Sequence, residues 1–145
     1  MSGPVRIIVA EDEDADVMLL KHALAKAKVN CEVTFTRDGQ ETIDLLQLQH
    51  DTPVLLLLDL RMPRLDGFEV LRWLQEHPAR QRVSVVVLSS SGETTDIRRA
   101  GELGANAYIV KPDDPFELCR VMERIRQFWD THAGSNPVRA RTADS

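Results

Sequence analysis

Two carboxylates, Glu11 and Asp12, directly follow the apolar run VRIIVA, and a third, Asp59, ends the run VLLLL. Further along, Ser89 follows VSVVVL and Lys111-Pro112 follows NAYIV. An apolar run that drives into a carboxylate needs a reason, because a buried charge without a partner is expensive. Carboxylates brought within a few ångströms of one another repel, and their pKa values rise unless a cation joins them. Hard oxygen donors with room for water describe a Mg²⁺ site, which commonly combines one or two carboxylates with waters and a phosphate. A lysine and a hydroxyl aimed at the same place add a point positive charge and a hydrogen-bond donor, the two things a bound phosphoryl group requires. No Cys-His or Ser-His pairing offers a nucleophile, so that role falls to a carboxylate, and Asp59 is the best placed.

Each feature has a plainer explanation when taken singly. An acidic cluster before a helix, including Asp14 and Asp16, complements the helix dipole and caps free N–H groups. Ser90 with Glu93 three residues on reads as a capping box. Lys111 by itself is an ordinary surface lysine, and Asp59 by itself a helix cap. The chemistry exists only if these residues converge, which is a matter for the elements that carry them.

Short apolar runs recur at 5–10, 31–35, 54–58, 83–88 and 106–110. Three are nearly continuous in Val, Ile and Leu, as strands buried on both faces should be, and the second alternates as an edge strand does. Helical spacing of apolar residues fills 15–27, 40–48, 67–76, 94–103 and 115–129, with Gly104 a stop for the fourth helix. Five strands alternating with five helices predict an α/β fold, a doubly wound five-stranded parallel sheet with helices on both faces. Right-handed crossovers favour the order 2-1-3-4-5, the flavodoxin-like arrangement. In such sheets ligands bind beyond the carboxyl ends of the strands, where Glu11, Asp12, Asp59, Ser89 and Lys111 all stand.

The chain has 145 residues, 43% hydrophobic and 28% charged, which fits one domain able to bury roughly two thirds of its surface. A formal charge of −5 argues against general nucleic-acid affinity. Cys31 and Cys119 lack CxxC or Cys/His spacing and read as reduced, buried thiols. The apolar stretch in MSGPVRIIVAEDED is too short for a signal peptide, and no run approaches the ~20 apolar residues of a membrane span. The expectation is a soluble, cytoplasmic protein. After Trp129 the apolar periodicity stops, so 1–129 reads as the domain and 130–145 as a disordered tail.

Strand one followed by Glu11-Asp12, the segment LLLDLRMPRLDG, Ser89 after VVVL, and AYIVKP at 107–112 together resemble the receiver domain of two-component response regulators. The likeness spans roughly residues 5–129, and four separate loops agree in the right order. It implies that Asp59 is the phosphoacceptor, that Asp12 binds Mg²⁺ directly with Glu11 helping through water, and that the backbone carbonyl of Arg61 is a further ligand. Ser89 and Lys111 would bind the phosphoryl oxygens, Tyr108 would swing inward on activation, and the Lys111–Pro112 bond would be cis. Within that family RMPRLDG, VVVLSSSGETTDI, LGANAYIVKP and RIRQFWD are similar to small single-domain regulators that serve phytochrome histidine kinases. Such a protein is not an enzyme in the usual sense, although it takes part in its own phosphorylation and dephosphorylation. Its expected partners are a histidine kinase, of the bacterial phytochrome type, and a second copy of itself. No DNA-binding segment follows, so output is expected through protein contact, with Met122, Phe128 and Trp129 as the dimer surface.

Other readings share parts of this pattern. A degenerate receiver would keep the fold as a constitutive binding module. An aspartyl-nucleophile phosphatase would share Asp59 and a lysine, but commonly places an aspartate where this chain has Arg61. A flavin or nucleotide module would need a phosphate-cradling loop where this chain has EDED. His22, His50, His77 and His132 read as surface residues away from the cleft.

Overall fold

The computed structural model describes residues 6–29, 31–48 and 53–132, with side chains through Gln127. The chain alternates β1 (Arg6–Ala10), α1 (Asp14–Lys26), β2 (Glu32–Thr36), α2 (Gly39–Leu48), β3 (Val54–Leu58) and α3 (Gly67–Gln75). It continues with a short 3-10 helix (Pro78–Arg82), β4 (Val83–Ser89), α4 (Thr94–Glu102), β5 (Ala107–Val110) and α5 (Pro115–His132). The five strands are parallel in the order 2-1-3-4-5, as expected from the βα repeat.

Period-two alternation sorts the strand residues between two cores. Ile8, Leu56, Leu58, Val85 and Val87 face Ile43, Leu46, Val70 and Leu74 of α2 and α3. Ile7, Val9, Leu55 and Leu57 face Leu20, Leu24, Leu118 and Met122 of α1 and α5. All five residues of β3 are buried, so each leucine there contributes about 1.5–3 kcal/mol. β2 and β5 form the edges and bury less. Cys31 and Cys119 are half-buried rather than buried.

Register carries this order to the strand ends. Ala10 pairs with Leu58, so Glu11 and Asp59 leave the sheet side by side, and the Asp59 N–H donates to the Ala10 carbonyl at 3.1 Å. Ser89 pairs with Val110, and the Lys111 N–H donates to the Ser89 carbonyl at 2.7 Å.

The connections show devices that periodicity does not reveal. α3 opens with a reciprocal capping box between Asp66 and Glu69. The expected Ser90–Glu93 box does not form: Ser90 is exposed, and Ser91, one residue on, turns inward to accept the Glu93 N–H at 3.3 Å. α4 ends at Gly104 as expected, with φ +100° and the paired bonds Ala105 N–H to Ala100 and Gly104 N–H to Gly101. α1 ends in the same motif with Lys28 in the left-handed position, φ 59°. After α3, Pro78 opens the 3-10 helix, where His77 Nδ1 accepts the Ala79 N–H and its ring stacks on half-buried Trp73 at 4.3 Å. His77 is therefore a packing and capping residue, not a free surface histidine. Arg80 ties this turn to the sheet by donating to the carbonyls of Val83 (2.8 Å) and Gly104 (2.6 Å).

Three expectations change at the C-terminal side. The described peptide bonds are all trans, Lys111–Pro112 included. Trans is intrinsically preferred at X-Pro by about 0.5–1 kcal/mol, and Lys111 reaches the cleft without the cis form. Met122 is 1% exposed in the core beneath α5, so it presents nothing to a second copy. α5 runs to His132, past the boundary expected at 129, while the Phe128 and Trp129 side chains and residues 133–145 lie outside what is described.

Candidate metal and phosphoacceptor site

The carboxylates of Glu11, Asp12 and Asp59 converge at the C-terminal end of the sheet, with a ligand oxygen from each within 4.8 Å of the others. Glu11 and Asp59 are buried and Asp12 is half-buried. Gly67 allows this approach: a Cβ there would lie 2.6 Å from the Asp59 carbonyl oxygen and 2.8 Å from Leu60 Cα. The start of α3 thus packs directly under the loop that carries Asp59, with the Gly67 N–H on the Leu60 carbonyl at 3.0 Å.

Lys111 enters from β5 and places Nζ 2.8 Å from Glu11 and 2.9 Å from Asp16. Burial would pull its ammonium down, but the hydrogen bonds it donates to Glu11 and Asp16, with the charges of Glu11 and Asp59, outweigh burial and hold its pKa up. Asp59 is pushed up to about 7, first by burial and then by the charge of Glu11; Lys111 and the Arg61 N–H, 3.4 Å from Oδ1, oppose the rise only in part. Three converging carboxylates with one so perturbed are short of positive charge. That donor set, all hard oxygens at one open cleft, fits a divalent cation such as Mg²⁺.

Ser89 is fully buried at the end of β4, its Oγ accepting the Ser91 N–H at 3.2 Å. Tyr108 is half-buried and already packs against the core, its hydroxyl donating to the Ser91 carbonyl at 2.7 Å. The Arg61 side chain is exposed and approaches Asp96 at 3.8 Å. Beyond the carboxylates an open groove of about 510 Å³ continues between the β3–α3 loop and α4, lined by Asp12, Arg61, Met62, Phe68, Asp96 and Arg99.

The structure brings together Glu11, Asp12, Asp59 and Lys111, with Ser89 and Tyr108 one loop away. It adds residues that the sequence reading passed over. Asp16, taken for a helix-dipole residue, is the second partner of Lys111. Arg37 donates to the Asp12 carbonyl (3.2 Å) and to Asp14 (2.5 Å), pinning the acidic loop. Asp38 caps α2 through the Glu41 N–H at 2.8 Å and pairs with Arg64 at 3.0 Å, which fixes the β3–α3 loop where Arg64 has φ 67°. These pairs join loops far apart in sequence, and no local pattern announces them.

Comparison with known proteins agrees with this geometry. The family model for the response regulator receiver domain matches residues 7–123. The chain is 34% identical over 131 residues to response regulator Rcp1 of Synechocystis sp., covering 87% of this chain and 89% of that protein. The Mn²⁺-bound structure of Rcp1 superposes with a TM-score of 0.76 at 31% identity, covering 98% of this chain and all of that one. The phosphorylated cyanobacterial phytochrome response regulator RcpA superposes with a TM-score of 0.81 at 36% identity, covering 90% and 97% of the two chains. RPA3017, a response regulator in red light signalling of R. palustris, gives a TM-score of 0.73 at 32% identity over 97% and 99%. With the family model spanning most of the chain and these relatives matched nearly end to end, the chain belongs to the response regulator receiver domain family.

Proposed function

We propose that this receiver domain accepts a phosphoryl group on Asp59 from a phosphohistidine of a partner kinase and thereby switches a protein-binding surface. The observation that carries the reading is the convergence of Glu11, Asp12 and Asp59 beside the Lys111 ammonium. Asp12, Asp59 and the Arg61 carbonyl would hold Mg²⁺, with Glu11 acting through water. When bound there, the ion supplies the positive charge that a transferring phosphoryl group requires. Ionised Asp59 attacks phosphorus through a carboxylate oxygen, the donor's P–N bond breaks, and its electron pair returns to the imidazole. Lys111 and Ser89 stabilise the phosphoryl oxygens as they arrive. Its role is that of a signal transducer that assists its own phosphorylation and dephosphorylation, in the cytoplasm where its kinase acts.

Phosphorylation adds about 1.5 to 2 negative charges. In this reading Ser89 follows the new oxygens, and because it holds the Ser91 N–H, the Ser91 carbonyl that anchors Tyr108 moves with it. The α4–β5–α5 face, where Ile97, Val110 and Phe116 are exposed, would carry the change to a partner or to a second copy. RcpA and RPA3017 support a kinase of the phytochrome class. The deciding experiment is intact mass after incubation with a small phosphodonor and Mg²⁺. A single Mg²⁺-dependent adduct that is absent in Asp59→Asn is expected. A folded wild type that takes no phosphoryl group from the donor or from a histidine kinase would leave a degenerate receiver acting as a binding module. Sedimentation of both phosphorylation states tests the dimer, which a concentration-independent monomer mass would refute.

A further inference from the structure

Asp96 ties together the two loops that flank Asp59. It lies in the first turn of α4, its side chain 24% exposed, with Oδ2 accepting the Ser91 hydroxyl at 2.6 Å and standing 3.8 Å from the Arg61 guanidinium. Ser91 is a junction: its N–H meets Ser89 Oγ, its carbonyl holds the Tyr108 hydroxyl, and its own hydroxyl meets Asp96. Arg61 is less constrained. Its side chain is 71% exposed, and a solvent-exposed pair at that distance is weak. Its main-chain N–H donates to Asp59, however, so the guanidinium is rooted beside the carboxylate. A phosphoryl group there offers more charge than Asp96 and a set of oxygens that the planar guanidinium fork matches in pairs.

We propose that Asp96 is a positioning residue that competes with the phosphoryl group for Arg61, and so sets how long the acyl phosphate survives. The inference rests on Asp59 being the phosphoacceptor. In hydrolysis, water attacks phosphorus, the bond from phosphorus to the Asp59 oxygen breaks, and Asp59 departs as carboxylate while inorganic phosphate leaves. A guanidinium laid across the phosphoryl oxygens obstructs that water. Asp96 draws Arg61 back toward α4 and opens the path. Transfer of Arg61 to the phosphoryl group also removes the charge partner of Asp96, so the same event reaches Ser91, Tyr108 and α4.

The test loads wild type, Asp96→Ala, Asp96→Asn, Arg61→Ala and the Arg61→Ala/Asp96→Ala double variant with acetyl phosphate and Mg²⁺. The donor is then removed and loss of the adduct is followed by intact mass. Asp96→Ala and Asp96→Asn should each lengthen the half-life about threefold, the scale of one exposed ion pair. Arg61→Ala should shorten it, and Asp96→Ala should then have no effect in the Arg61→Ala background. Asparagine keeps a hydrogen-bond partner for Ser91, so its agreement with alanine separates lost charge from disturbed structure. A wild-type half-life in Asp96→Asn, or an equal effect of Asp96→Ala with and without Arg61, would overturn the inference while leaving phosphorylation intact. A wild type that takes no phosphoryl group would overturn the proposed function and this inference with it.

Discussion

Replacing Asp59 should stabilise the metal-free protein, by an amount that depends on pH. Asp59 has a pKa of about 7 in the folded chain, against an ordinary value near 3.8. A carboxyl raised on folding adds stability that is fully present below the unfolded value and is lost as pH climbs to the folded one. The loss therefore develops between about pH 4 and pH 7 and is complete above it. Three units at 1.36 kcal/mol each give about 4 kcal/mol, which partial solvent access reduces to about 2 kcal/mol. Asp59→Asn keeps the shape and never ionises. In EDTA, urea unfolding should show the variant about 2 kcal/mol more stable than wild type at pH 8, with most of that advantage gone by pH 5. Added Mg²⁺ at pH 8 should raise wild-type stability and leave the variant nearly unchanged. An advantage that stays flat from pH 5 to 8 would refute the charge-repulsion account of this site.

Asp38→Ala removes the α2 cap and the Arg64 pair, and should cost about 1–2 kcal/mol at neutral pH in urea unfolding. The hydrogen bond from the Glu41 N–H, then the charge of Arg64, hold the Asp38 pKa below the ordinary range despite burial. Its contribution is thus present above about pH 4, and the two proteins should converge in stability as pH falls through the depressed value. Lys28→Gly relieves a left-handed residue at the end of α1 and should raise stability by about 0.5–1 kcal/mol, read as a higher melting temperature with phosphoryl uptake unchanged. Gly67→Ala drives a methyl into the Asp59 and Leu60 backbone; it should cost about 1–3 kcal/mol in urea and slow phosphoryl uptake, and full activity with wild-type stability would refute that packing.

The fold was legible because its signals are local. Runs such as VLLLL and VSVVVL, short and rich in Val and Leu, read as strands buried on both faces, and the crossover rule then leaves few orders for five of them. The carboxylate cluster was legible for the same reason: Glu11, Asp12, Asp59 and Lys111 each stand at the end of such a run. The ion pairs Asp16–Lys111, Arg37–Asp14 and Asp38–Arg64 were not legible, because each joins residues far apart in sequence. The Asp16–Lys111 pair spans 95 residues. The misplacement of Met122 has a different cause. Leu118, Val121, Met122 and Ile125 form one stripe at helical spacing, which the helix spends on the core. Counting Met122 as surplus apolar surface ignored that geometry. The cis proline came from resemblance alone, with no residue in this chain requiring it.

The arrangement that gathers the carboxylates also makes them repel one another. β1 and β3 are pinned in register, so Glu11 and Asp59 cannot separate without breaking the ladder between them. Their repulsion is therefore held in place by the burial of two hydrophobic cores. Lys111 offsets part of it but also serves Glu11 and Asp16, so one ammonium faces more negative charge than it can neutralise. A cation held there would relieve the excess and favour the ionised form of Asp59, the form that the proposed attack on phosphorus requires. A rigid sheet end with a charge deficit is thus prepared both for a metal and for nucleophilic chemistry. In the proposed reading the exposed loop residues around it, Arg61 first among them, would tune the lifetime of the product without disturbing the fold.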